Sequence, residues 1–500
     1  MQPVQVDGGA LTREQVVAVA RGRATVMLGE TALDEVTKSR AHIEQLADAD
    51  TPTYGVSTGF GALATRHIPP DRRAALQRSL IRSHAAGAGQ PVEPEVVRAL
   101  MLLRLRTLAT GRTGVRPVTV ETLTKILNAG IVPVVHAYGS LGCSGDLAPL
   151  SAVALALMGE GDVLEDGETR GAADALRASG IEPVVLAEKE GLALINGTDG
   201  MLGMLVMALA DLTKLLDVAD LTAAMSVEAL LGTDRVFGDD LQRLRPHPGQ
   251  AVSAARITAL LRGSAIVASH RGPDCNRVQD AYSLRCAPQV HGAARDTVSY
   301  VETVADRELA AAIDNPVVLP DGRVESNGNF HGAPIAYPLD FLAIPVADVA
   351  SMAERRTDRM LDATRSHGLP PFLAHDPGVD SGHMIAQYTQ AAIVSELKRL
   401  AVPASVDSIP SSAMQEDHVS MGWSAARKLR KAIDGLTTVL AIELLTAARA
   451  LDLRAPLTPA PATARAVAAL RERVPGPGPD RHLAPEIHAA EDLIREGDLP

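Results

Sequence analysis

Four stretches in the second half of the chain, 204–231, 343–361, 384–400 and 426–451, repeat apolar residues at spacings of three and four, and no other feature restricts the fold as much. Around Asp348, for example, Val349, Met352 and Ala353 fall on one stripe while Asp348, Glu354 and Arg355 point away from it. Helices of this length bury such stripes only against one another, so residues 201–500 are expected to form a helical bundle. Aromatic residues make up 2% of the chain, with five Phe, six Tyr and one Trp, so the core must be built from Ala, Leu, Val and Met, which suits close helix packing.

Residues 1–200 read as a separate N-terminal domain, choppier and still mostly helical. Helices are expected over 13–28, 31–49, 72–83 and 93–110, with a Gly-rich loop over 54–61. Strand is confined to two short hairpins, 163–169 around Asp166-Gly167 and 317–325 around Asp321-Gly322, where Gly supplies the positive φ of a tight turn. Prolines 456, 459, 461, 475, 477 and 479 break up the tail around one short helix near 462–473. The expected class is therefore mainly α: an N-terminal helical domain with minor β-hairpins, followed by a long central and C-terminal bundle.

Charge narrows the function. The chain carries 48 basic and 60 acidic residues, a net −12 without like-charge blocks, so a nucleic acid finds no clustered Lys and Arg to track its phosphates. The most apolar stretch, 204–231, is interrupted by Asp211, Lys214, Asp217, Asp220 and Glu228, which argues against a membrane span. The opening MQPVQVDGGALTREQ has neither a basic start nor an apolar run, so a cytoplasmic location is expected. Cys143, Cys275 and Cys286 cannot form a disulfide framework, and without C-x-x-C or HExxH spacing no metal site is expected.

The least periodic segment is 139–150, GSLGCSGDLAPL. Gly142 and Gly145 bracket Cys143-Ser144, and Pro149 closes the segment before an apolar run. Composition alone favours a helix N-terminal turn capped by Ser144 or Asp146. A hydrolase elbow, G-x-S-x-G, fails because Asp146 stands at its fifth position. A third reading is chemical: in so compressed a turn the Gly145 amide nitrogen attacks the Cys143 carbonyl, and loss of water dehydrates Ser144. The product is a 4-methylidene-imidazol-5-one (MIO), an electrophile made from the chain itself.

Together with YGVSTGFG from Tyr54, RSHAAG from Arg82, GLALINGT from Gly191, QDAYSLR from Gln279, GNFH from Gly328 and QEDH from Gln415, this segment resembles the aromatic amino acid ammonia-lyases. The resemblance covers 54–421 and implies an MIO from Cys143-Ser144-Gly145 with no external cofactor, a homotetramer with shared active sites, and elimination of ammonia from L-histidine to give urocanate. It leaves open whether the electrophile meets the substrate's amine or its imidazole.

Roles follow by the same resemblance. Tyr54 is the candidate base, on a loop suited to a mobile cover; a free phenol has a pKa of about 10, so such a base needs nearby positive charge or hydrogen bonding. Arg285 suits the substrate carboxylate through its planar fork. Asn196 and Tyr282 would hold the ring and the ammonia, and Gln279, Phe330 and Gln415 would line the pocket. His84 and Glu416 bear on substrate choice, because an imidazole wants a polar or acidic partner, with Glu416 as the contacting residue. Ala152 and Met414 depart from the family's frequent His and Asn and leave selectivity open.

Competing readings are a tyrosine or phenylalanine ammonia-lyase, a 2,3-aminomutase, and a non-catalytic helical scaffold. Two further signals are set aside: 59–64 fits a degenerate dinucleotide fingerprint without the strand and acid it needs, and Ser411-Ser412-Ala413-Met414 lacks the Pro and Lys of the fumarase-type loop.

Overall fold

The computed structural model describes residues 2–48, 53–59, 65–165, 167–272, 275 and 278–500. Phe60 and Gly61 of the Gly-rich loop, the rest of the 59–64 fingerprint after Gly59, the end of the 31–49 helix at Ala49, and the Asp166 hairpin apex lie outside them. Helix takes up 58% of the structure and strand 7%, as the mainly α expectation requires.

The chain divides into two compact units, each drawn from three segments. The first comprises Met1–Met207, Glu302–Leu339 and Pro403–Arg427. Its central helix, Pro94–Ala109, is buried from Val96 onward, including Arg98, Arg104 and Arg106. Those guanidinium groups are tolerated because they donate to carbonyls: Arg98 to Val19 and Leu127, Arg104 to Asn196 and Ile313, and Arg106 to Gly9 and Ala310.

Among the described residues, all the assigned strands belong to this unit. Both expected hairpins form, Asp162–Glu165 with Glu168–Gly171 and Val317–Val318 with Val324–Glu325. The expected 13–28 helix does not persist: Arg13–Ala20 is helical, but Val26–Leu28 pairs in parallel with Val4–Val6. Thr12 starts this helix with a capping box shared with Gln15. Antiparallel pairing of Ala88–Pro91 with His136–Tyr138 had no alternating pattern to announce it.

The second unit comprises Ala208–Val301, Asp340–Val402 and Lys428–Pro500, and holds the greater part of the long helices Asp199–Ala229, Ala287–Leu309, Ala333–Leu361 and Gly422–Asp452. Lys431 and Asp434 of the last helix are exposed, yet every residue from 439 to 451 is buried, which makes this stretch the bundle's centre. Glu443 within it is buried but not left as a lone charge: its carboxylate accepts from Arg356 at 2.5 and 2.9 Å, from Thr222 at 2.7 Å and from Ser226 at 2.8 Å. Ala333–Leu361 has the length and composition of a membrane span, but 56% of its most apolar window is buried in the protein and its Asp340 pairs with Lys428, as in a core helix. The tail carries two helices rather than one, Pro461–Arg471 and Ala484–Glu496; in the second, Ala490, Leu493 and Ile494 bury a stripe that the surrounding prolines had obscured.

Candidate active site

The 139–145 segment is held open as an irregular turn by contacts on every side. Gly142 and Gly145 adopt φ +66° and +80°, and a Cβ on them would fall 2.2 Å from the Ser420 hydroxyl and 2.1 Å from the Gly197 carbonyl oxygen. Only glycine satisfies both conditions. The Gly142 carbonyl accepts from the Ser420 hydroxyl at 2.8 Å and the Gly332 amide at 3.1 Å, and the Leu141 carbonyl accepts from the Met421 amide at 2.9 Å.

Asp146 takes the N-cap position of the Leu147–Leu157 helix, so the helix-start reading of the segment holds, but its side chain serves another helix. Its carboxylate accepts the Gly200 and Met201 amides at 2.9 Å each, at the N-terminus of Asp199–Ala229, and the Ser140 hydroxyl at 2.9 Å. Complete burial pushes this carboxyl up to about 7, against the pull of the Met201 amide and the Ser140 hydroxyl.

Cys143 and Ser144 open into a cavity of about 430 Å³, lined also by Tyr54, Asn315, Phe330, His331, Gln415 and Glu416. Tyr54 stands on a turn where Val56 and Ser57 donate backbone N–H groups to the Thr53 carbonyl at 3.1 and 2.9 Å. Gln415 and Glu416 follow a loop in which Ser412, Ala413 and Met414 all have positive φ, +52°, +53° and +69°. Ser411 closes the loop by pairing with Glu416 through backbone bonds of 2.9 and 3.3 Å.

Glu416 links three side chains at the cavity wall. One carboxylate oxygen, Oε2, accepts from the Cys143 thiol at 3.1 Å and the Ser411 hydroxyl at 2.9 Å; the other, Oε1, accepts from the Ser144 hydroxyl at 3.2 Å. Burial, reinforced by the hydrogen bond and charge of Glu416, pushes the Cys143 thiol up to about 12, so it stays an S–H donor. His84 ends the Arg73–His84 helix, its Nδ1 2.9 Å from the Leu80 carbonyl. Partial burial lowers its pKa, while that carbonyl and the Glu416 charge work the other way.

Asn196 ends the Glu190–Ile195 helix, almost fully buried, and donates its side-chain amide to the Asn315 carbonyl at 2.9 Å. The remaining expected residues cluster in the second unit. Tyr282 and Arg285 share the short Tyr282–Arg285 helix, where the guanidinium lies 4.6 Å from the Tyr282 ring centroid and donates to the Gln279 side chain at 2.9 Å. The first unit therefore brings together Tyr54, Cys143, Ser144, Phe330, Gln415 and Glu416 around one cavity, and the second brings together Gln279, Tyr282 and Arg285.

Sequence reasoning assigned no part to Asn315, Asn327, His331 or His418, which line the same cavity. The two histidine rings stack with centroids 5.6 Å apart. Both lay inside the GNFH and QEDH segments and were legible there; the asparagines sit in irregular chain without a pattern.

Comparison with known proteins places this helical architecture, with its small-residue turn opening into a cavity, among the lyases. The family model for aromatic amino acid lyases matches residues 11–472, and the chain belongs to that family. Among its relatives, the histidine ammonia-lyase of Streptomyces coelicolor is 65% identical over 501 residues, covering 100% of this chain and 98% of the relative. The crystal structure of tyrosine aminomutase from Streptomyces globisporus superposes with a TM-score of 0.94 at 40% identity, covering 99% of this chain and 97% of the other. Histidine ammonia-lyase from Trypanosoma cruzi gives 0.92 at 40% identity, over 99% and 94% of the two chains.

Proposed function

We propose that this protein eliminates ammonia from L-histidine to give trans-urocanate, using an MIO formed from Cys143, Ser144 and Gly145. The observation that carries the reading is the Glu416 carboxylate beside Cys143 and Ser144 in a cavity near His84: an acidic wall suits the N–H groups of an imidazole and is unfavourable to a phenyl ring. The 65% identical histidine ammonia-lyase supports it.

The turn fits the ring. Gly145 has no side chain to obstruct closure, its φ of +80° bends the chain back on itself, and the next residue, Asp146, is anchored by the Gly200 and Met201 amides. Once formed, the MIO would supply an electron-poor methylene able to accept electron density from the substrate. Tyr54 takes the β-proton, and Arg285 binds the carboxylate through its fork. Asn196 and Tyr282 hold the ring and the departing ammonia; Gln279, Phe330 and Gln415 complete the lining. Glu416 accepts an imidazole N–H, with His84 as its polar neighbour.

A homotetramer belongs to the same proposal. In a chain with 2% aromatic residues, Tyr300, Phe341 and Tyr388 of the second unit are 54%, 44% and 60% exposed, apolar surface that association would cover.

Incubation with histidine, tyrosine and phenylalanine, followed by ultraviolet absorbance of the conjugated acid, tests the substrate. Absorbance grows with histidine; growth with tyrosine and none with histidine overturns the assignment.

A further inference from the structure

We propose that Cys143 and Ser411 are positioning residues: they anchor one oxygen of the Glu416 carboxylate, so that dehydration of Ser144 uncovers the other for the substrate's imidazole. The proposal rests on the reading of Glu416 as the imidazole's partner.

The three side-chain donors on Glu416 have different fates. Oε2 holds the Cys143 thiol and the Ser411 hydroxyl, and Oε1 holds the Ser144 hydroxyl. Ring closure joins the Gly145 nitrogen to the Cys143 carbonyl carbon and releases the carbonyl oxygen as water with the amide hydrogens of Ser144 and Gly145. The second water takes the Ser144 hydroxyl and its Cα hydrogen, leaving a Cα=Cβ double bond. The donor on Oε1 therefore departs, while both donors on Oε2 remain. An ionised carboxylate has acceptor sites on each oxygen, and the uncovered one must find a new donor or stay unsatisfied.

Ring chemistry does not require the Cys143 sulfur, since its side chain is only a substituent on the ring. The contact with Glu416 gives that sulfur a separate task. Burial keeps the thiol protonated, so it donates to the carboxylate rather than repelling it. Ser411 acts on the same residue twice, through its hydroxyl and through the paired backbone that closes the 411–416 loop. The serine that becomes the electrophile thus guards the specificity residue until the electrophile exists.

The test measures binding by calorimetry in the mature protein, with two unreactive probes: 3-(imidazol-4-yl)propanoate and 3-phenylpropanoate. Intact mass establishes ring formation in each variant. Cys143→Ala and Ser411→Ala each weaken the imidazole probe roughly 3- to 10-fold, the loss expected when one ordinary hydrogen bond that positions the carboxylate is removed, and leave the phenyl probe unchanged. Cys143→Ser keeps a donor and retains affinity. Ser144→Ala has neither ring nor hydroxyl, leaves Oε1 open, and binds the imidazole probe within about threefold of the mature protein. Unchanged imidazole binding in both Cys143→Ala and Ser411→Ala overturns the anchoring; tenfold weaker binding by Ser144→Ala overturns the uncovering. Glu416→Gln separates the two levels: if it too leaves imidazole binding unchanged, the assignment of Glu416 itself fails.

Discussion

The Asp146 carboxylate accepts the backbone N–H of Met201 at 2.9 Å, which ties the turn after Gly145 to the first turn of the Asp199–Ala229 helix. A helix N-terminus favours a negative charge there, while complete burial opposes it. The balance leaves the folded-state carboxyl at about 7, above the value of about 3.9 expected when unfolded. The folded state thus holds a proton that the unfolded chain releases. This contribution to stability is fully present below about pH 4 and is lost as the pH rises through about 7. Asp146→Asn removes it, so the difference in unfolding free energy between the two proteins should change across that window. Denaturant titrations from about pH 4 to 8 check it, and parallel curves would contradict it.

Gly145→Ala places a Cβ 2.1 Å from the Gly197 carbonyl oxygen, a backbone atom that cannot swing away. The prediction is a protein at its full sequence mass with no detectable turnover. Gly167→Ala is the control, with φ +88° and nothing within 4 Å of the new carbon. It should carry only the strain of a left-handed alanine, about 1–2 kcal/mol, and keep its ring. Mass spectrometry and thermal unfolding separate the two effects.

Met414 is 67% exposed and has φ +69°, in a row of three non-glycine residues with positive φ. Asparagine tolerates this conformation better and loses no packing at an exposed site. Met414→Asn should raise unfolding stability by about 0.5–1 kcal/mol, as read by denaturant titration. A loss of stability would show that the methionine side chain makes a contribution of its own.

Lys189 and Asp314 pair at 2.5 Å with both side chains fully buried. Burial lowers the lysine pKa and raises the aspartate pKa, each partner offsetting part of the other's penalty. Asp314→Asn leaves a buried ammonium without a counter-charge and should cost about 3–5 kcal/mol. The double change Lys189→Met with Asp314→Leu should recover much of that stability. It also gives up the Asp314 bond to the Asn315 amide, so the cavity wall should loosen and KM should rise. Unfolding free energies and steady-state kinetics check the two effects together.

The long helices were legible because one stripe of apolar residues is enough to announce a helix. The 384–400 expectation coincides with Met384–Leu400, and the 204–231 and 426–451 expectations fall on Asp199–Ala229 and Gly422–Asp452. The 343–361 expectation missed the start of Ala333–Leu361, where Pro334 and Pro338 interrupt the pattern. Strands of two to four residues, such as Val4–Val6 and Ala88–Pro91, are too short for alternation to show. At the site, the segment around Ser144 stood out by its crowding of small residues. The link from Cys143 and Ser144 to Glu416 was not readable, because it joins residues 273 and 272 positions apart. Asp146 was legible as a helix cap, but the helix its side chain caps could be identified only in three dimensions.

The intact mass of the purified protein tests the central claim most directly. A chain in which Cys143, Ser144 and Gly145 have condensed is lighter than its sequence by two waters, whereas Ser144→Ala should match its own sequence mass. An active protein at its full sequence mass would contradict the account.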